Sequence, residues 1–204
     1  MNRIAKRRTT LGTLLAAALL AGGCGSTQGS GSSEPPLAGA RIGGPFTLTD
    51  QDGRTVRDTD FAGKYRLVYF GYTFCPDVCP TDMQHVGQGL RLLEKSDPAL
   101  AAKVVPVFIT VDPARDTPAV LKQFVTAFHP RMVGLTGTQA AIDAAAKAYG
   151  VAHEAQPRAP GADGYLVDHS RVTYLMSPDG KPLALVRADT SGEAVAEDLR
   201  RWVK

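Results

Sequence analysis

The sequence has few cysteines and no apolar run long enough to cross a membrane. Its 204 residues include three cysteines and one tryptophan, and aromatic residues make up 7%. The main apolar run, over 11–21, is shorter than the stretch of about 20 residues that a spanning helix needs. With 44% hydrophobic and 21% charged residues, the composition is that of a globular domain and excludes a disordered chain or an integral membrane bundle.

The sequence also lacks an excess of positive charge once its first residues are set aside. The formal net charge is +3. Residues 1–23 contain four of the 23 basic residues and none of the 20 acidic ones, so their removal changes the charge to about −1. A basic surface for nucleic acid is therefore not expected.

The N-terminal segment has the pattern of an export signal. Four basic residues precede the apolar run over 11–21, which predicts a secretory signal over 1–23. The stretch 20–24 resembles the lipobox of bacterial lipoproteins, so we expect Cys24 to be lipidated and to anchor an extracytoplasmic protein to the cell membrane. Simple cleavage and release is the alternative. Arg7 and Arg8 leave a twin-arginine route open, but the two threonines that follow favour the general secretory route.

A tether and one domain are expected after the signal. Residues 24–42 are rich in Gly, Ser and Pro, which predicts a flexible tether, and residues 43–204 are the size of one domain. A hairpin is predicted around Asp52–Gly53. Strands are then predicted over 66–71, 104–111, 132–135, 151–154, 172–176 and 182–187, and helices after Pro80 and over 117–128, 138–149 and 191–203. This alternation predicts an α/β fold with one sheet covered on both faces.

Cys75 and Cys79 are the two cysteines left for the domain, and they lie between a predicted buried strand and the start of a helix. A helix N-terminus favours thiolate, so we expect a lowered cysteine pKa. Two thiolates suit a soft ion such as Cu(I). An inert disulfide is the structural alternative, although so short a loop would stabilise the fold little.

A third ligand would complete such a site, and imidazole suits copper. We expect His85 to be exposed on its helix, His129 to interact with carbonyls at a helix end, and His153 to lie at the surface. His169 differs because it follows a loop rich in Pro and Gly and directly precedes the strand over 172–176. It is therefore the preferred candidate.

Three ordered segments together resemble the Sco/SenC family of copper-handling proteins. They are 69–80 (YFGYTFCPDVCP), 108–116 (FITVDPARD) and 167–170 (VDHS), and the likeness extends over about 43–203. The resemblance implies a thioredoxin-like fold with a central mixed sheet, an N-terminal hairpin and flanking helices. It also implies a copper site at Cys75, Cys79 and His169, with Cu(I) as the expected ion and Cu(II) left open.

The resemblance further implies a role and partners. The role is delivery of copper to, or preparation of, the binuclear copper centre of cytochrome c oxidase subunit II, which needs no turnover chemistry. Another copper chaperone or a thiol reductant is a further candidate partner. Asp77 and Asp168 match acidic positions of the same motifs and are expected either to tune the metal or partner contact or to cap loops.

A membrane-anchored thiol-disulfide oxidoreductase acting on the client's cysteines is the alternative function. In a thioredoxin-like hairpin the strand over 172–176 is usually entered by a cis-proline, which helps to bind substrate. Ser170 and Arg171 stand at that approach here. This difference favours copper handling over disulfide exchange without excluding the latter.

Overall fold

A seven-stranded mixed sheet forms the centre of the protein, seen in a computed structural model that describes residues 34–157, 161 and 164–204. The strands in chain order are β1 (Thr47–Asp50), β2 (Thr55–Arg57), β3 (Tyr65–Gly71), β4 (Val104–Thr110), β5 (Val133–Thr136), β6 (His153–Ala155), β7 (Val167–His169), β8 (Thr173–Met176) and β9 (Pro182–Leu185). The order across the sheet is β2-β1-β5-β4-β3-β8-β9, and β6 and β7 form a separate antiparallel pair.

Five α-helices and a short 3-10 helix (Asp58–Phe61) connect these strands in the described residues. They are α1 (Val78–Ser96), α2 (Pro98–Ala101), α3 (Pro118–Phe128), α4 (Gln139–Ala148) and α5 (Gly192–Trp202). Predicted capping residues are where expected: the Ser191 hydroxyl accepts from the N–H of Ala194, and Gly150 ends α4 with a φ of 66°. Within the described part of the chain, no helix has the length and apolar character needed to cross a bilayer.

Strand β3 lies in the middle of the sheet and is buried along its whole length. It pairs parallel with β4 and antiparallel with β8. Tyr69 stacks near Phe108, which contacts Phe124 of α3, whereas Phe70 points the other way and packs on Tyr149 after α4. Helices therefore cover both faces, and the predicted α/β class, mixed sheet and N-terminal hairpin β1–β2 are confirmed.

The first described residues lie against the domain. The N–H of Leu37 donates to the carbonyl of Leu183 on the edge strand β9, and the N–H of Gly43 donates to the carbonyl of Ala148. Leu37 and Ile42 pack on the core. The compact unit therefore begins at Glu34, inside the segment predicted as tether. The predicted signal, Cys24 and the rest of the tether lie outside the described residues.

Candidate metal centre

Cys75 and Cys79 follow β3 at its carboxyl end. The N–H of Cys75 donates to the carbonyl of Tyr72 at 3.3 Å, and the N–H of Cys79 donates to the Cys75 sulfur at 3.5 Å. Cys79 lies in the first turn of α1 and is buried, while Cys75 precedes the helix and is half-buried. Both are free thiols, so the inert disulfide is not the state seen in the structure.

The segment before Cys75 is fixed by a buried carboxylate from the second family motif. Asp116 accepts hydrogen bonds from the backbone N–H and the hydroxyl of Thr73 and from the hydroxyl of Thr110, at 3.0, 2.6 and 2.6 Å. Burial raises the pKa of Asp116. Since three donors converge on one buried carboxylate, the conformation of the chain leading to Cys75 is well determined.

His169 reaches the cysteines from β7, at the far end of the chain. Its Nε2 lies 3.2 Å from the Cys79 sulfur and its Nδ1 lies 3.2 Å from the backbone oxygen of Ser170. Because a carbonyl oxygen can only accept, we assign the ring proton to Nδ1, which leaves the lone pair of Nε2 facing the sulfur. Metal-binding histidines commonly use their second nitrogen in this way.

The three side chains form one cluster. The two sulfurs and one nitrogen of His169 all lie within 4.8 Å of one another, and no other such group of metal-binding side chains occurs among the described residues. The rings of Tyr69 and Tyr72 meet His169 edge-on, with centroids 6.1 and 6.0 Å away. Residues that are 90 positions apart in the sequence are therefore brought to one soft-ligand site.

Burial sets the protonation of this cluster. It raises the pKa of the Cys79 thiol and lowers the pKa of His169, so in the absence of metal the thiol is protonated and the imidazole is neutral. The prediction that the helix N-terminus would lower the cysteine pKa is wrong for Cys79. Removing the sulfur from water outweighs the favourable helix dipole, because Cys79 has no exposed surface.

The other three histidines lie elsewhere, and the predictions made for them need correction. His85 is half-buried rather than exposed, with Nδ1 2.8 Å from the carbonyl of Ala188. His129 is 1% exposed and meets Glu94 and the N–H of Arg131 instead of helix carbonyls. His153 is half-buried, with Nε2 3.3 Å from Asp143. None of them belongs to the cluster.

The two acidic candidates lie beside the cluster without joining it. Asp77 is the exposed residue before α1, and its side chain makes no capping hydrogen bond. Asp168 is exposed on β7 and accepts from the amide of Gln156 at 2.6 Å. Its negative charge acts to raise the pKa of His169, although burial dominates.

A buried ion pair next to the cluster was missed at the sequence level. Asp82 lies on α1, three residues after Cys79, and is 1% exposed. It accepts from the guanidinium of Arg171 and from the hydroxyl of Tyr69. One sequence feature could have indicated the buried Asp82: it is an acidic residue next to Met83 and one turn before Val86, on the apolar face of the helix.

Arg115 links the loop that contains Cys75 to the segment that precedes β7. Its guanidinium lies 3.8 Å from the ring centroid of Tyr165, ahead of β7, and 5.0 Å from that of Phe74, next to Cys75. It also pairs with Asp112, which accepts from the hydroxyl of Tyr165 at 2.7 Å. This residue of the second family motif was likewise not singled out from the sequence.

A curated relative covers most of the chain. Protein SenC of Rhodobacter capsulatus is 46% identical over 172 residues, which are 84% of this chain and 73% of that protein. The bovine mitochondrial SCO2 homologue is 42% identical over 166 residues, 81% of this chain and 61% of that protein.

Solved structures also match most of the chain. ScoI of Bradyrhizobium japonicum with copper bound is 41% identical, with a TM-score of 0.71 over 79% of this chain and 99% of that one. BsSco, described with a disulfide switch and as a member of the Sco family of cytochrome c oxidase assembly proteins, is 27% identical, with a TM-score of 0.60 over 82% and 94%.

More distant similarity confirms the predicted fold. The thioredoxin domain of a thiol-disulfide oxidoreductase from Bacteroides vulgatus has a TM-score of 0.55 at 16% identity, over 80% of this chain and 96% of that one, which shows a thioredoxin-like fold alone. The SCO1/SenC family model matches residues 34–204, the whole compact unit. This chain therefore belongs to the SCO1/SenC family.

Proposed function

We propose that this domain binds Cu(I) through the sulfurs of Cys75 and Cys79 and Nε2 of His169, and that it delivers copper to, or prepares, the binuclear copper centre of cytochrome c oxidase subunit II. The observation that carries the proposal is the convergence of these three donors within 4.8 Å. Metal bonds to such donors are roughly 2.0–2.3 Å long, as for zinc, so small movements bring all three onto one ion.

The donor set favours a soft, thiophilic ion. Two thiolates and one imidazole suit Cu(I), whereas hard ions prefer oxygen. The Cys79 thiol must lose its proton when the metal binds, because the ligand is the thiolate. His169 is already neutral at pH 7, and its Nδ1 is held by the Ser170 carbonyl, so Nε2 needs no deprotonation to bind.

Delivery is supported by the unequal burial of the two sulfurs. Cys79 is buried, while Cys75 is half-buried. Phe74 and Leu166, 52% and 53% exposed, are the large exposed apolar residues on the two loops of the site. A client thiolate approaching over them would meet Cys75 first, and ligand exchange would start there. The relatives described as copper-bound and as oxidase assembly proteins support the same assignment.

A titration with matched histidine variants tests the proposal. The reduced soluble domain is titrated anaerobically with Cu(I), and X-ray absorption is recorded at one equivalent. We expect two sulfur ligands and one nitrogen ligand in the wild type, loss of the nitrogen in His169→Ala, and no change in His153→Ala, whose histidine lies opposite His169 on β6. The same coordination in the His169→Ala variant would refute the assigned site.

The second candidate is a thiol-disulfide oxidoreductase that keeps the client's cysteines reduced. It is favoured by two free thiols, one half-buried and one buried, at a helix N-terminus in a thioredoxin-like fold. The reduction potential of the pair and its exchange with a client peptide, each measured with and without copper, separate the two functions. Exchange that proceeds equally well without copper would favour thiol chemistry.

We also propose that Cys24 is lipidated and holds the domain outside the cytoplasm at the cell membrane. The support is the lipobox-like sequence that follows the export signal. Mass spectrometry of the mature protein should show an acylated Cys24 N-terminus, and Cys24→Ser should move the protein from the membrane fraction to the soluble one. Another copper chaperone as the copper source and a thiol reductant for the pair are further proposed partners.

A further inference from the structure

His169 lies outside the hydrogen-bonded ladder of the central sheet. Its strand β7 pairs with β6 in a separate two-stranded sheet, and residues 170–172 connect β7 to β8. The N–H of Ser170 donates to the carbonyl of Ala152, which ties that residue to the β6 side. The cysteines, in contrast, lie on the connection from β3 to α1. Strand pairing in the central sheet therefore does not fix the distance between His169 and Cys79, and another contact must do so.

The Asp82–Arg171 ion pair crosses this gap. Arg171 comes two residues after His169, and Asp82 lies on α1 three residues after Cys79. The Nε and Nη2 of Arg171 donate to the two oxygens of Asp82 at 2.9 and 2.6 Å. The hydroxyl of Tyr69 on β3 donates to the same carboxylate at 3.1 Å. One buried group thus connects the segment after His169, the helix of Cys79 and the central strand.

Two hydrogen bonds restrict the relative orientation of Arg171 and Asp82. A guanidinium and a carboxylate joined by two hydrogen bonds share a fixed relative orientation, unlike a pair joined by a single charge contact. Asp82 is almost fully buried, so water cannot stabilise the charge of its carboxylate, and its hydrogen bonds to Arg171 and Tyr69 must do so. Displacing Arg171 would leave that charge uncompensated, and this cost keeps the segment after His169 against α1.

We infer that the Asp82–Arg171 ion pair is the positioning device that holds His169 beside Cys79 and thereby sets the affinity of the site for Cu(I). The inference rests on the proposed function for its metal, but the placement of the ring is a property of the metal-free protein. Arg171 stands at the approach where a thioredoxin-like hairpin usually has a cis-proline. In this chain the Asp82–Arg171 ion pair, and not a proline, restrains the segment that leads into β8.

Two variants and a matched control test this role. Arg171→Gln removes the charge pair, and Asp82→Asn with Arg171→Gln removes it without leaving a buried charge, so the double variant should stay folded. Arg187→Gln is the control, because Arg187 lines the same cavity as Asp82 and Arg171 and makes a similar pair with the buried Asp198, but its side chain bonds Asp198 and Glu197 on α5 and not Asp82. Thermal melting of all three apo proteins shows how much each pair matters for folding alone.

We expect both Arg171 variants to bind Cu(I) about tenfold or more weakly, the usual effect of removing a residue that orients a metal ligand. The control should bind as the wild type does. NMR of the histidine rings in the apo protein, with the His169 signal assigned from His169→Ala, should show broadening or a shift of that signal in the Arg171 variants and none in the control.

The two readouts separate this inference from the proposed function. If the wild type binds no Cu(I), the proposed function fails, while a His169 signal that changes in the Arg171 variants would still support the positioning role. If Cu(I) affinity and the His169 signal in folded Arg171→Gln or in the double variant match the wild type, the ion pair does not position the ring and the inference is overturned.

Discussion

At Gly71 the backbone of β3 passes too close to the metal cluster to carry a side chain. A Cβ there would lie 2.7 Å from Tyr69 Cε1, 3.0 Å from the Cys79 sulfur and 3.1 Å from Phe108 Cε2. We therefore expect Gly71→Ala to destabilise the apo domain by about 1–3 kcal/mol through overpacking. It should also weaken Cu(I) binding, because Cys79 must move. Denaturant unfolding and a Cu(I) competition titration measure the two effects.

Gly137→Ala is the matched control for that substitution. Its Cβ would meet Leu48 Cδ2 at 3.1 Å, the end of a flexible side chain far from the cluster in sequence and in the sheet. A smaller stability loss and unchanged copper affinity are expected. Copper affinity that falls equally in both variants would show that Gly71 acts through general stability and not through the Cys79 sulfur.

The residues of the cluster were identifiable from the sequence, but their protonation was not. Cys75, Cys79 and His169 were found because their motifs and spacing are distinctive. The spacing of the motif places Cys79 at a helix N-terminus but does not show how deeply its sulfur is buried. Burial is what decides the pKa of that thiol. Likewise, His85 and His129 are partly or fully covered by residues distant in the sequence, namely Ala188 and Glu94.

The loop between β3 and α1 depends on Asp116 for its shape. We expect Asp116→Ala to leave both donors of Thr73 and the hydroxyl of Thr110 without their acceptor. A fully buried donor left unpaired costs roughly 1–3 kcal/mol; Thr110 is fully buried and Thr73 half-buried, so the apo domain should lose about 1–3 kcal/mol or more in urea unfolding. Copper binding should weaken as well, since Thr73 fixes the chain two residues before Cys75.

Asp143→Ala provides a comparison on an exposed carboxylate. Asp143 is half-exposed on α4 and bonds Gln139 and His153. Its loss should change stability little. Urea unfolding of folded Asp116→Ala and Asp143→Ala, with a Cu(I) titration of each, distinguishes the two. If Asp116→Ala were as stable as Asp143→Ala and bound copper normally, the carboxylate would have no part in shaping the loop.

Most elements were predictable because their patterns are local. The continuous apolar strands β3 and β4 and the capped helices α3, α4 and α5 were recognised from periodicity and end signals. The pairing of β6 with β7 was not predicted, because each strand has three residues, too few to show an alternating pattern. The Asp82–Arg171 pair joins residues 89 positions apart and could not be read from either motif.

The stability of the whole molecule should depend on pH through a buried histidine far from the cluster. Burial lowers the pKa of His129, although the charge of Glu94 opposes this effect. Below the ordinary value of about 6.5, the unfolded chain takes up a proton that the folded protein does not. The free energy of unfolding should therefore fall as the pH falls below about 6.5.

His129→Asn tests this dependence. The asparagine oxygen can still accept from the N–H of Arg131, as His129 Nδ1 does, but it cannot be protonated. Urea unfolding of the apo proteins between pH 5 and 7.5 should show a shallower slope in the variant. The slope should not vanish, because burial also lowers the pKa of His169. Identical slopes in the two proteins would contradict the assignment to His129.

The hydrogen bond from the Leu37 N–H to the Leu183 carbonyl shows where the first described residues join the domain. Leu183 lies beside the part of β8 that pairs with Arg66 and Leu67. Along β3, those residues are four to five positions before Gly71, roughly 15 Å at the rise of a strand. The first described residues therefore join the domain at the end of the central sheet that lies away from Cys75 and Cys79, so this contact leaves the cysteine end of β3 uncovered by them.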